Sequence, residues 1–261
     1  MNSKQILELY DQQMRREITY PTTRREETPY VVRHISLEGI QNFVLYSSLS
    51  ESNADDIIRG EIAYFEKLGR DVEWKVYNHD TPANLKARLA KYGFEVGEAE
   101  ALMALDIENA PAFLLQSPKV PVRRITDPAQ VDEILSVQRK VWAGEDYSDL
   151  GHQLKTDLQD RPEILSVYAV IMDGIPVSSA WIYYHPGTQF ADLWGGATLP
   201  AYRGRGVYSS LLAARTQEAR QRGFRFLTID ASPMSRPIVT KHGFMFLDHT
   251  YPCLLRLSKT E

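Results

Sequence analysis

From residue 122 onward, apolar residues recur with two alternating periods, and the alternation predicts short strands and amphipathic helices in turn. Residues 122–125 read as a strand, and residues 129–141 set Val131, Ile134, Leu135 and Val141 at helical spacing. Residues 149–159 predict a second helix. Residues 164–172 and 175–184 are rich in strand formers and are joined by Asp173-Gly174, a strong two-residue hairpin signal. A turn at His185-Pro186-Gly187 returns the chain into a strand at 190–199. A helix at 209–222 follows and stops at Gly223, the usual residue just past a helix end. A strand at 224–230, a short helix at 236–242 closed by Gly243 and a strand at 249–257 complete the pattern.

The first half carries a weaker version of the same plan. Strands are predicted near 29–36 and 42–48, then a helix at 54–68, a strand at 72–77, a helix at 83–92 and a strand at 100–107. Shifted by 150 positions, Asp80 falls on Asp230, Gly93-Phe94 on Gly243-Phe244, and 104–107 on 254–257. Two domains of similar plan are implied, although a coincidental α/β likeness would give the same offsets. Between the halves, Pro111, Pro118 and Pro121 interrupt both periods and mark a linker. The expected domains are 1–110 and 122–261, joined by 111–121.

Composition narrows the class. The chain has 261 residues, 43% hydrophobic and 25% charged, with a formal net charge of −4. That is ordinary for a soluble globular protein and gives no global attraction to nucleic acid or anionic membranes. A lone cysteine, Cys253, excludes an intramolecular disulfide and reads as a buried strand residue. The first residues carry acids and no long apolar run, so neither a signal peptide nor a membrane span is expected, and a cytoplasmic setting is. Six histidines are scattered without a ligand pair on one helix face, so no metal is expected.

The most informative stretch is 198–215, which leaves a strand, turns through Arg203-Gly204-Arg205-Gly206 and enters a helix. The first turn of a helix leaves N–H groups without internal partners, its dipole favours negative charge, and glycines allow close approach of a diphosphate. A P-loop would need Lys-Ser or Lys-Thr after the last glycine, where Val207-Tyr208 stands. A dinucleotide fingerprint counted from Gly204 needs a third glycine at Ser209. A solvated strand-to-helix turn with two surface arginines is the plain alternative.

The spacing that remains, Arg-x-x-Gly-x-(Gly/Ala) from Arg203, resembles the coenzyme A loop of the GNAT N-acetyltransferase superfamily, with Tyr208 in place of its last small residue. The predicted order over 122–257, β α α β β β α β α β, resembles the GNAT order, and Lys241-His242-Gly243-Phe244 resembles its closing motif. The resemblance implies an α/β fold with a mixed sheet, a GNAT acyltransferase domain preceded by a truncated GNAT-like domain. At the matching place the first half reads Ser48 to Asp56, with no glycine and three acids, so no coenzyme A loop is expected there.

The resemblance further implies acetyl-coenzyme A as co-substrate and a small-molecule or peptide amine as acceptor, with a homodimer as the assembly to test. Arg203, Gly204, Arg205, Gly206, Val207, Tyr208 and Ser209 would hold the diphosphate. Ala197, Thr198 and Leu199 would meet the pantetheine, where Gly195-Gly196 suits a bulge or, without a ligand, a bent strand. Ser232 would meet the pantetheine or merely cap the next helix. Asp192 occupies the place of a general base, although an exposed strand Asp reads equally well. Many relatives carry a Tyr four residues before the closing Gly; this chain has Val239, and Tyr251, Tyr208, Tyr184 or a water is left as a replacement acid, with spacing not choosing among them. Trp142, Asp146 and Tyr147 are expected at the acceptor, although Trp142 reads equally well as core, while Trp181 and Trp194 are expected to pack. Without chemistry, the same features would make a coenzyme A binding or sensing protein.

Overall fold

A computed structural model describes residues 1–38 and 41–257. Residues 258–261, the end of the expected second domain, lie outside the described residues. In chain order the elements open with α1 (Ser3–Tyr10), a π-helical turn at Asp11–Arg16, β1 (Thr23–Glu27), β2 (Val31–Ser36) and β3 (Phe43–Ser47). They continue with α2 (Ala54–Leu68), β4 (Val72–Tyr77), α3 (Leu85–Lys91), β5 (Glu95–Val96) and β6 (Glu100–Asp106). After two short 3₁₀ turns come β7 (Arg123–Ile125), α4 (Val131–Val141), α5 (Ser148–Asp160), β8 (Leu165–Met172) and β9 (Ile175–Tyr184). The chain ends with β10 (Phe190–Thr198), α6 (Val207–Gln221), β11 (Phe226–Ala231), α7 (Arg236–Lys241) and β12 (Met245–Leu255).

Two compact units result, and they do not follow chain order. The first holds residues 1–103, 230–237 and 246 onward; the second holds 104–229 and 238–245. The segment read as a linker is accounted for locally. The Gln217 side chain of α6 donates to the carbonyls of Leu114 and Gln116, and the Val120 N–H donates to Ser210 Oγ.

In the first unit the strands run β1-β2-β3-β4-β12, with β5 also on β12. Every pair is antiparallel except β3·β4. That parallel pair needs a crossover, which α2 supplies; it ends at Gly69 in the left-handed region at φ 63°. The core gathers Val44, Ile58, Phe65, Trp74, Leu89 and Cys253. Cys253 is fully buried, as its strand position predicts, and burial pushes its thiol up to about 12. The start of α2 carries Asp55 and Asp56, and the nearby Glu51 and Asp55 both pair with Arg88. An anion would meet carboxylates there.

In the second unit the strands run β7-β8-β9-β10-β11, again with one parallel pair, β10·β11, crossed over by α6. The two crossover helices, α2 and α6, each have 15 residues, so the duplicated β-α-β plan appears in both units. The face covered by α4 and α5 buries Val131, Ile134, Leu135, Leu154 and Leu158 against Leu165, Val167 and Trp181. The α-helical spacing of those residues is what the sequence displays. Sequence periodicity passes over α1, the π-helical turn and β1, whose Thr-Arg-Arg-Glu-Glu run lacks apolar alternation.

Candidate functional site

The candidate site is built in the second unit around β10. Its parallel ladder with β11 pairs Phe190, Ala191 and Asp192 with Phe226, Leu227 and Thr228. Among the described residues the ladder goes no further, although β10 runs on to Thr198. Beyond Asp192 one edge of β10 therefore carries backbone groups that β11 does not satisfy.

A bulge sits on this free stretch. The β10·β9 register shifts between Trp194 and Ala197, with Gly195 at φ 60°. A Cβ on Gly195 would lie 1.7 Å from the Trp181 ring, so no other residue fits there without displacing the indole. Gln138 of α4 pins the bulge, donating to the Gly195 carbonyl at 2.6 Å and to Ser179 Oγ at 2.9 Å. Past the bulge, Ala197 and Leu199 keep their bonds to β9: Ser178 Oγ donates to the Ala197 carbonyl, and the Leu199 N–H donates to Val177. Thr198 Oγ1 meets Ser178 Oγ at 2.7 Å.

The turn after β10 places Gly204 at φ 73° and Gly206 at φ 77°, with nothing near enough to touch a Cβ at either. Gly206 is the N-cap of α6 and no side chain caps the helix start. The helix begins at Val207, earlier than its apolar pattern shows, because a left-handed glycine admits the turn at once. The amides of Val207, Tyr208 and Ser209 thus open the helix beside two glycines and two exposed arginines, Arg203 and Arg205. Arg203 folds back, its Nε donating to the Thr198 carbonyl, and Arg205 lies over the Tyr202 ring. An uncapped helix start with open space before it favours an anionic group such as a diphosphate.

Tyr208, the large residue at the loop's last place, is turned toward the bulge: its ring edge would lie 3.3 Å from a Cβ on Gly196. Burial pushes its phenol up, opposed by the Arg215 charge. Arg215, two turns further along α6, is 2% exposed and donates to the carbonyl oxygens of Leu211 and Trp181. Burial holds its guanidinium below the ordinary value. Ser209 Oγ lies 2.8 Å from His242 Nε2.

Asp192 is not a solitary strand carboxylate. It accepts from Thr228 Oγ1 on one oxygen and lies 2.8 Å from His185 Nε2 with the other. Asp192 is directly opposite Tyr183, so both side chains stand on the face covered by α4 and α5. Two residues on and on that same face, Trp194 is 49% exposed, whereas Trp181 is 4% exposed. Packing, expected for both, holds for Trp181 alone, because the bulge begins at Trp194 and leaves it without a covering helix.

The expected acceptor residues stand at the α4–α5 connection. Trp142 is 42% exposed. Asp146 accepts from the Ser148 N–H and hydroxyl, which hold its carboxyl below the usual range. Tyr147 packs on the α4–α5 core, and burial pushes its phenol up. Ser232 and Tyr251 belong to the first unit. Ser232 Oγ accepts from the Ser235 N–H, and the Lys86 ammonium stands 3.3 Å from the Tyr251 ring centroid. Val239, at the place of the missing tyrosine, is fully buried.

Gln138, His185, Thr228, Arg215 and the exposure of Trp194 escape sequence reading. For Gln138 and Arg215 a signal exists: each is a polar residue on the apolar stripe of its helix. Among the described residues, no group of three or more His, Cys, Asp or Glu is placed to hold a metal ion, and no helix is long and apolar enough to cross a membrane.

A family model described as an acetyltransferase (GNAT) domain matches residues 107–231. No curated protein sequence matches the chain. Among solved structures, a GCN5-related N-acetyltransferase from Kribbella flavida superimposes with a TM-score of 0.68 at 15% identity, over 99% of this chain and 97% of that one. A functionally unknown conserved protein from Staphylococcus epidermidis aligns with a TM-score of 0.64 at 14% identity, over 91% and 97%. A tandem GNAT protein from the clavulanic acid biosynthesis pathway aligns with a TM-score of 0.59 at 12% identity, over 100% and 89%. At these identities the likeness is one of fold, and with the tandem protein it extends over the whole chain. With the matched sequence model, the ended ladder, the bulge and the uncapped α6 identify residues 107–231 as a GNAT acetyltransferase domain.

Proposed function

We propose that this chain transfers the acetyl group of acetyl-coenzyme A directly to a primary amine, with the reacting groups held along β10. The observation that carries the reading is the β10·β11 ladder ending at Asp192 and Thr228, just before a bulge and an uncapped helix. Acetyl-coenzyme A supplies the activated thioester. The α6 amides of Val207, Tyr208 and Ser209, with Arg203 and Arg205, would hold its diphosphate. The edge of β10 that β11 leaves open beyond Asp192 would align its pantetheine, with Thr198 on that stretch, whereas Ala197 and Leu199 are bonded to β9.

Asp192 is proposed to receive the acceptor's ammonium. With Thr228 and His185 fixing its carboxylate, it presents a negative charge in one place, which favours orienting the amine and taking its proton. Trp194, exposed on the same face, offers an indole surface that suits a cationic or apolar acceptor. Together these support amine acceptors over carboxylates or alcohols.

Thermal unfolding with saturating acetyl-coenzyme A, beside NADP and ATP, tests the reading. Ligand at a hundredfold over its dissociation constant contributes about 2.7 kcal/mol, and about 2–4 °C per kcal/mol is the response of a protein of this size. A shift with NADP or ATP and none with acetyl-coenzyme A would overturn it. The buried Val239, where relatives place an acid, favours a second reading, a coenzyme A binding protein without turnover. Release of free thiol from acetyl-coenzyme A in the presence of amines separates the two.

A further inference from the structure

The imidazole of His242, half-buried, meets four groups of the second unit. Its Nδ1 lies 2.8 Å from the Ile238 carbonyl and its Nε2 2.8 Å from Ser209 Oγ. The rings of Phe113 and Tyr208 meet it edge-on, with centroids at 5.7 and 5.6 Å. A carbonyl only accepts, so Nδ1 carries the proton. A neutral imidazole has no second N–H, so Nε2 accepts and the Ser209 hydroxyl donates to it. In this state Ser209, in the first turn of α6, has spent its only side-chain donor, and only lone pairs remain on its hydroxyl.

We infer that His242 sets the donor capacity of the diphosphate cradle through Ser209, so that protonation of its imidazole tightens coenzyme A binding. This rests on the reading of residues 203–209 as the diphosphate site. With both ring nitrogens protonated, Nε2–H donates to Ser209 Oγ. The serine hydroxyl is then released to donate to a phosphate oxygen, and a positive charge stands behind it. Hydrogen bonds backed by charge are roughly twice as strong as neutral ones. The groups facing His242 do not compete for this proton. Tyr208 is the titratable group among its contacts, and burial pushes that phenol up, away from the range of an imidazole. Lys241, its neighbour in sequence, is exposed.

A purely structural tie between α6 and α7 would show no such pH dependence. The test is calorimetric titration of the full chain with dephospho-coenzyme A, whose diphosphate keeps its charge from about pH 5.5 to about pH 8, where imidazoles titrate. Affinity is expected to be about tenfold higher at the acid end, and flat with pH in His242→Gln and Ser209→Ala. In the wild-type chain, the NMR titration midpoint of His242 is expected to move upward when the ligand is added. Binding with the same pH dependence in His242→Gln, or an unmoved midpoint, would overturn the inference and leave the diphosphate site standing. No binding at any pH would remove both.

Discussion

The side-chain amide of Gln138 and the carbonyl of Gly195 meet at 2.6 Å, joining the middle of α4 to the bulge of β10. Gln138 is 3% exposed in a face otherwise made of Val131, Ile134 and Leu135, so its polar group is spent on this contact and on Ser179. Replacing it by leucine keeps the helix and its volume but strands the carbonyl, at a cost of about 1–3 kcal/mol. Gln138→Leu is expected to stay folded with a lowered melting temperature and to bind acetyl-coenzyme A at least tenfold more weakly. Gln138→Glu, which has no N–H to give, is expected to resemble it. Wild-type affinity in a folded Gln138→Leu chain would separate the bulge from cofactor binding.

Gly195 answers a different constraint. Its positive φ costs a side-chain-bearing residue about 1–2 kcal/mol, and the Trp181 ring occupies the space of a Cβ, which adds about 1–3 kcal/mol of overpacking. Gly195→Ala is therefore expected to lower the unfolding midpoint by several degrees. Combining it with Trp181→Ala removes the clash but not the backbone strain, so the double variant should fall short of the sum of the two single losses. Strict additivity, measured by denaturant unfolding, would show that the ring does not set the residue at 195.

The carboxylate of Asp192 lies between Thr228 and His185, and Asp192→Asn keeps its shape while removing its charge. A positioned proton acceptor contributes about 10²–10⁴-fold to rate, so turnover is expected to fall by at least a hundredfold, with acetyl-coenzyme A affinity within twofold of wild type. Stopped turnover together with lost affinity would instead mark Asp192 as a structural residue of the strand pair.

The parts of this site that are legible in the sequence are those that depend on local backbone chemistry. The glycines at 204 and 206, the hairpin at Asp173-Gly174 and the stop at Gly223 each report a left-handed residue, and each stands where expected, with φ of 73°, 77°, 76° for Gly174, and 83°. Contacts made across the sheet are invisible to periodicity. Nothing in the neighbourhood of His185 along the chain reveals that Asp192 will meet it, and Gln138 reads as an ordinary polar position until Gly195 turns its carbonyl inward. Trp194 reads as packing because it stands on a predicted strand next to that of Trp181; the bulge that exposes it comes with the pair of glycines that follow. The return of the last strand to the first unit is a topological fact that no window of residues contains.

In the first unit, His79 stands between two carboxylates, Asp11 on the π-helical turn and Asp248 on β12, with the buried Arg15 beside it. Arg15 itself donates to both oxygens of Asp80 and lies 3.7 Å from the Tyr77 ring centroid, so this cluster ties the amino-terminal segment to β4. The hydrogen bond to Asp11, then that to Asp248, raises the His79 imidazole to about 9 against burial and the Arg15 charge. A group with a raised folded value contributes stability that is full below its unfolded value, about 6.5 for histidine, and that is lost as pH rises through the folded value. The contribution should therefore be complete near neutrality on the acid side and fade between about pH 6.5 and about pH 9. His79 is about one-third exposed, so solvent screening reduces it to about 1–2 kcal/mol. Denaturant unfolding of wild type and His79→Gln is expected to show a stability gap of that size at about pH 6, closing by about pH 9.5. A gap that stays constant across that range would mean that His79 acts by packing against Tyr77 rather than by its charge.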